Sequence, residues 1–257
     1  VLLFHGFPDT AHTWDRAMPE LAKAGFRVVA PFMRGYHPTE IPKDGAYDID
    51  TLGRDALGLI EALGEKSAVV VGHDWGASAA YAAAALGPES VRLLVTMAVP
   101  HPRAIPRTPR QVWIMRHFLA LRRKSIAATI RAGEMRYLDE LWRRWSRAWQ
   151  DIPESETAAV KQAFAEPGSL EAACGYYAAI PLSTKLPPSA SMPIKVPTFS
   201  FSGEHDHQMT FPMFEKARKY FEGPYEVVKV PGGHFLHREH PDRVVPELVR
   251  VIREHAG

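Results

Sequence analysis

The chain has 257 residues, with 31 Lys and Arg against 29 Asp and Glu, for a formal net charge of +2 at pH 7. A near-neutral balance with 46% hydrophobic and 23% charged residues is ordinary globular composition, enough for one large α/β core or a core with a modest insertion. The lone cysteine, Cys174, rules out an intramolecular disulfide and suits a reducing compartment, so a cytoplasmic location is expected. No apolar run approaches the ~18 residues of a membrane span, and no metal, cofactor or nucleic-acid partner is expected.

The chain opens on an apolar strand, Val1 to Phe4, that runs into a tight loop, His5-Gly6-Phe7-Pro8-Asp9. Thr13 is expected to cap a helix that buries Trp14, Met18, Leu21 and Ala22. Phe26 to Ala30 follows as a strand, and Asp48 or Asp50 caps a helix over residues 51–63 that closes on Gly64. Ala68 to Val71 is a buried strand. It stops on Gly72-His73-Asp74-Trp75-Gly76, and an alanine-rich helix begins at once. Val91 to Met97 is another strand. This alternation implies right-handed crossovers and a parallel sheet.

From about residue 100 to 193 the strand pattern is replaced by helical periodicity over 111–124, 126–149, 154–166 and 170–180. Residues 182–197, rich in Pro and Ser, read as a connector. Alternation then resumes with a strand over 198–202, a helix over 212–221, a strand over 225–230 and a closing helix over 242–254. Residues 1–99 and 194–257 therefore form one α/β core, and 100–193 a helical insertion within it.

Ligands bind at the carboxyl ends of strands in open α/β sheets, and three strand ends carry reactive groups. Gly72-His73-Asp74-Trp75-Gly76 has the strand–turn–helix setting of a nucleophile elbow, with Asp in the nucleophile's place. A carboxylate is already an anion at pH 7 and can displace a leaving group at carbon without a base. Asp206 follows the strand over 198–202 and His234 the strand over 225–230, in the order nucleophile, acid, histidine. His234 is the candidate base and Asp206 its orienting partner.

His5-Gly6-Phe7-Pro8, Arg34-Gly35-Tyr36, Gly72-His73-Asp74-Trp75-Gly76-Ala77 and Gly233-His234-Phe235 resemble the α/β-hydrolase superfamily. The resemblance is to its Asp-nucleophile branch, the epoxide hydrolases and, more distantly, the haloalkane dehalogenases. It covers nearly the whole chain. It implies an α/β-hydrolase fold in which the backbone N–H groups of Phe7 and Trp75 form an oxyanion hole. It also implies that the insertion is a cap over an apolar pocket, and that a small apolar epoxide or halide is hydrolysed by water without a cofactor. Epoxide hydrolases use two cap tyrosines to protonate the epoxide oxygen. Gly175-Tyr176-Tyr177 resembles the site of the second, with Tyr177 the better match and Tyr176 expected to pack. The first would fall near Trp113 to Phe118, where His117 is the candidate donor and Trp113 a candidate pocket residue. Asp9 either positions the hydrolytic water or caps its turn. Trp75 either packs against substrate or donates its indole N–H to a halide. Phe7, where dehalogenases carry a polar residue, favours the epoxide.

Only six strands are legible, and the first resembles the third of such folds, so the natural protein is expected to begin earlier and the first two strands to be lacking here. Phe26 to Ala30 would then be an exposed apolar edge inviting self-association, which leaves monomer or homodimer open. Arg103 to Gln150 holds twelve Arg and Lys against three acids, Glu134, Asp139 and Glu140. With Trp142, Trp145 and Trp149 interleaved, this fits either an amphipathic cap helix with a solvated basic face or a binding surface for an anionic partner. A hydrolase-fold binding protein is accordingly the non-enzymatic alternative.

Overall fold

The computed structural model describes residues 1–149, 151–181 and 186–256. Five parallel strands, β1 (Leu2–Phe4), β2 (Ala68–His73), β3 (Val91–Met97), β4 (Thr198–Gly203) and β5 (Tyr225–Val230), lie side by side in that order. Consecutive strands are neighbours, so each connection crosses back over the sheet. Side chains alternate between its faces. Leu2, Phe4, Val70 and Leu94 enter one apolar cluster, and Leu3, Val69, Val71, Leu93 and Val95 enter the other. Both faces are covered, as parallel sheets require, and each fully buried Val or Leu contributes about 1.5–3 kcal/mol.

Helices α1 (Met18–Lys23), α2 (Ile49–Ala62) and α3 (Trp75–Leu86) belong to the first half of the sheet. Asp48 caps α2 by accepting the Thr51 N–H, and Gly64 leaves it at φ +77°. α3 buries ten of its twelve residues, most of them alanine. Alanine combines the best helix propensity with the smallest side chain, so α3 seats directly on the sheet and against α2. Between β3 and β4 come α4 (Pro109–Ile114), α5 (His117–Leu121), α6 (Ile126–Ala132), α7 (Arg136–Trp145), α8 (Glu154–Ala165), α9 (Ser169–Ala179) and the short α10 (Pro188–Ser191). α11 (Phe211–Ala217), α12 (Leu236–Glu239) and α13 (Pro241–His255) complete the fold.

Several sequence expectations change. Thr13 caps no helix: it lies in a single 3₁₀ turn, and its hydroxyl bonds His237 Nε2 at 2.6 Å. A helix begun there would carry Pro19 in its interior, where proline lacks the needed N–H. α1 starts instead at Met18, with Pro19 in its first turn. Phe26 to Ala30 is not a strand. It meets β1 through one bridge, in which Val29 accepts the Leu3 N–H and donates to Val1 O, because β1 is only three residues long. The expected helix over 126–149 breaks at Gly133, after which Glu134 and Met135 take positive φ. That over 111–124 divides into α4 and α5. Within the connector, residues 182–185 lie outside the described residues, and 188–191 form α10.

α7 settles its own reading. Leu138, Leu141, Trp142 and Trp145 are buried, while Arg136 and Arg143 face outward, so the Trp spacing is that of an amphipathic helix. The Trp142 indole donates to Pro8 O at 2.9 Å and its ring stacks on Phe235 at 3.7 Å. The insertion is thereby docked on the loops that leave β1 and β5. No helix among the described residues is long and apolar enough to cross a membrane.

Candidate active site

The site is built where β2 ends. Asp74 sits at φ 53°, ψ −115° between β2 and α3, a region sparsely populated by residues with side chains. Glycines make the turn possible. A Cβ on Gly72 would overlap the Gly76 carbonyl, and one on Gly6 would overlap the Asp74 side chain. Three backbone segments therefore close on Asp74, whose side chain is 15% exposed. Its Oδ1 accepts the Phe7 N–H at 2.8 Å. Trp75 opens α3, and the first N–H groups of a helix have no partner within it.

The other oxygen, Asp74 Oδ2, lies 3.3 Å from His234 Nε2. On the far side of the ring, His234 Nδ1 is 3.0 Å from Asp206 Oδ2. Asp206 is held in turn by the N–H groups of Gln208 and Met209 on Oδ1, at 2.7 and 3.0 Å. Burial opposes the charge on His234. Its hydrogen bonds to Asp206 and Asp74 outweigh that cost and raise its pKa. Burial also opposes the charge on Asp74, but His234 and the Phe7 N–H hold its pKa below the ordinary carboxylate value. The resting arrangement is a carboxylate–imidazolium–carboxylate row.

Tyr177, on α9, is 1% exposed. Its ring meets Phe7 and Trp75 edge-on at 5.2 Å each and Phe118 at 5.0 Å. Burial and the nearby Asp74 charge raise the Tyr177 pKa far above its ordinary value, so the hydroxyl keeps its proton. His117, at the start of α5, lies 6.1 Å from the Tyr177 ring and 4.7 Å from that of Trp145. Burial lowers its pKa to about 3, and its Nδ1 has no partner among the described residues. The imidazole is therefore neutral.

Other candidates fall elsewhere. The Tyr176 hydroxyl donates to Arg34 O at 2.8 Å and its ring stacks on Tyr47, so it is a packing residue. Trp113 is not in the pocket. It is 67% exposed with the Arg116 guanidinium over its ring, because α4 turns its Gln111 side inward instead. Asp9 is buried, accepts the Thr10 N–H at 2.8 Å and pairs with Arg238 at 3.3 Å. Arg238 also bonds Glu156 of α8, so Asp9 anchors its turn and a core–insertion ion network. Among the described residues no group of His, Cys, Asp or Glu is arranged to hold a metal ion. A surface groove of about 820 Å³ lined by Arg16, Val245 and Arg250 contains none of these side chains. The reactive groups sit instead among packed aromatic rings: Phe7, Trp75 and Phe118 against Tyr177, and Trp145 against His234.

Sequence reasoning missed several of these aromatic neighbours. Phe118 packs on Tyr177 and Trp145 on His234, and Tyr36 packs its ring against Phe164 and Tyr176. The Tyr36 hydroxyl is buried without a partner among the described residues. Aromatic residues at helical spacing look alike in a sequence whether they line a site or fill a core.

Residues 1–241 match the family profile of the alpha/beta hydrolase fold. The chain is 33% identical to the AB hydrolase superfamily protein YfhM of Bacillus subtilis over 70% of its own length and 65% of that protein's. It is 46% identical to an epoxide hydrolase of Caballeronia sordidicola over 39% of this chain and 31% of the other. In both cases the match spans less than two thirds of the relative. Identity to epoxide hydrolase A of Mycobacterium tuberculosis is 29%, over 98% of this chain and 89% of the other. Among solved structures, Cfl2 from Burkholderia cenocepacia superposes with a TM-score of 0.76 at 27% identity, covering 98% of this chain and 86% of that one.

Proposed function

The chain belongs to the α/β-hydrolase fold family, and we propose that it opens epoxides to vicinal diols through a covalent ester on Asp74. The observation that carries this reading is the placing of Asp74. One oxygen is fixed by the Phe7 N–H, the other faces a histidine backed by a second carboxylate, and a buried tyrosine packs edge-on against both Phe7 and Trp75.

In this reading Asp74 attacks an epoxide carbon, forming a C–O ester bond as the ring C–O bond breaks. The leaving oxygen takes the Tyr177 proton. Neutral His117 is the second donor to the same oxygen. Ester formation removes the Asp74 charge, one of the two anions that raise the His234 pKa. His234 then releases its proton, which restores Tyr177, and becomes a neutral base. It takes a proton from water, whose oxygen attacks the ester carbon while the N–H groups of Phe7 and Trp75 hold the oxyanion. Collapse returns Asp74 as carboxylate, the diol takes the remaining proton, and His234 ends protonated as it began. Residues 100–193 act as the cap that excludes bulk water.

The substrate class is tested by incubation with styrene oxide and, separately, with a dibromoalkane, scoring diol and bromide. Diol formation is expected; bromide release alone would assign haloalkane dehalogenation to the same carboxylate. Tyr177→Phe is expected to slow alkylation by the epoxide ~10²- to 10⁴-fold, the span of general acid catalysis. Hydrolysis of a preformed ester should hardly change. An unaltered alkylation rate in rapid-quench single turnover would make Tyr177 a packing residue.

A further inference from the structure

Glu239 is five residues beyond His234, at the end of α12, and touches none of the groups invoked above. Its carboxylate nevertheless grips the loop that carries His234. Oε2 accepts the Gly233 N–H at 2.8 Å, and Oε1 accepts the Phe235 N–H at 3.1 Å. The intervening N–H, that of His234 itself, goes to Trp145 O at 3.2 Å. Three consecutive backbone donors are thus held from one side. Ser146, immediately after α7 and wholly buried, donates its hydroxyl to Glu239 Oε1. The fit is close: a Cβ on Gly233 would come within 2.9 Å of both Ser146 Cα and Trp145 O. From the other side His73 Nε2 donates to His234 O at 2.8 Å.

A carboxylate receiving two backbone N–H groups and a hydroxyl is a strong acceptor. Here the donors come from two sources, the histidine loop of the core and Ser146, just past the end of α7 in the insertion. From this geometry we infer that Glu239 is a positioning residue for His234, clamping the base to the insertion so that its Nε2 stays aimed at the ester. The inference rests on the base assignment made under the proposed function. It places the effect on one half-reaction. Asp74 is also held by the Phe7 N–H, so its attack on the epoxide depends less on the His234 ring position than water activation does. A misplacement of about 1 Å is able to cost ~10²-fold in rate. Any movement of residues 145–146 is transmitted to the base by the same bonds.

The test is single-turnover kinetics with styrene oxide, following ester formation by rapid quench and ester decay by intact mass. In Glu239→Gln, one oxygen still accepts but the amide NH₂ opposes a backbone N–H. Glu239→Ala removes the clamp, and Ser146→Ala removes the hydroxyl that donates to Glu239 and accepts the Phe235 N–H, leaving the His234 N–H on Trp145 O. Alkylation should stay within about threefold of the parent protein in all three. Ester hydrolysis should fall ~10- to 100-fold for the Glu239 variants, with adduct accumulating on Asp74, and less for Ser146→Ala. If Glu239→Ala does not fold, the other two variants decide. Equal loss in both half-reactions, tracking the folded fraction, would make Glu239 merely structural, and unchanged hydrolysis would remove it altogether. Failure of the base assignment is separate: it would show as normal turnover in His234→Gln, whatever the Glu239 variants do.

Discussion

His234→Gln is expected to abolish turnover while leaving the first chemical step intact, so that an ester accumulates on Asp74. Among the described residues no other histidine has a ring nitrogen on the Asp74 carboxylate. His5 accepts the Met33 N–H on Nε2 and bonds Gly6 O through Nδ1, and His73 and His237 lie behind the His234 backbone. Their pKa values are depressed by burial, to about 4 for His5 and about 3 for His73. Glutamine keeps roughly the volume and one hydrogen bond of histidine but cannot take a proton from water. The loss in ester hydrolysis should therefore reach at least ~10²- to 10⁴-fold. Alkylation should change much less, since Asp74 keeps the Phe7 N–H. Intact mass after incubation with styrene oxide should show one substrate added per chain, and Asp74→Ala should show neither adduct nor turnover. Normal turnover in His234→Gln would assign the base elsewhere.

Stability is expected to fall steeply as the pH drops from about 6.5 to 5. Five buried histidines are neutral in the folded chain. Burial lowers His5 and His101 to about 4, His73 and His117 to about 3, and His237 well below its ordinary 6.5. The unfolded chain binds protons at these residues near pH 6.5, whereas the folded chain does not. Their contribution is complete above pH 6.5 and is lost progressively as the pH falls toward the folded values. At pH 5 each loses about 1–2 kcal/mol, and five such losses are comparable to the whole stability of a typical domain. His234 has the opposite sign. Its raised pKa stabilises the fold fully below 6.5 and declines above it, so the two effects set a maximum near neutrality. Thermal melts at pH 5 and 7 should differ by at least ~10 °C for a chain of this size. Equal melting temperatures would mean that these rings are charged or solvated in the folded state.

Much of the arrangement was legible because it depends on local rules. The three valines before Gly72-His73-Asp74-Trp75-Gly76, the alanine run after it, and the strand-end positions of Asp206 and His234 needed no tertiary information. The structure sets His234 between the other two, 3.3 Å from Asp74 and 3.0 Å from Asp206. Elements whose form depends on distant partners were not legible. Thr13 has the composition of a helix cap, but its hydroxyl is taken by His237, 224 residues away. Phe26 to Ala30 has strand composition, yet a three-residue neighbour offers it a single bridge. Trp113 and Trp145 look equivalent in a helical pattern; α4 turns one into solvent and α7 turns the other onto the His234 ring. Glu239 gave no signal, because its partners are backbone groups and a serine 93 residues away.

The central claim is that the Asp74 carboxylate is the nucleophile and that water attacks the ester carbon, not the substrate. Single turnover of styrene oxide in heavy-oxygen water tests it most directly, with label located by mass spectrometry of the peptide carrying Asp74. The account predicts one labelled oxygen in the Asp74 side chain and unlabelled diol from the first turnover. Label in the diol alone, with none in Asp74, would mean that water attacks the epoxide directly and would contradict it.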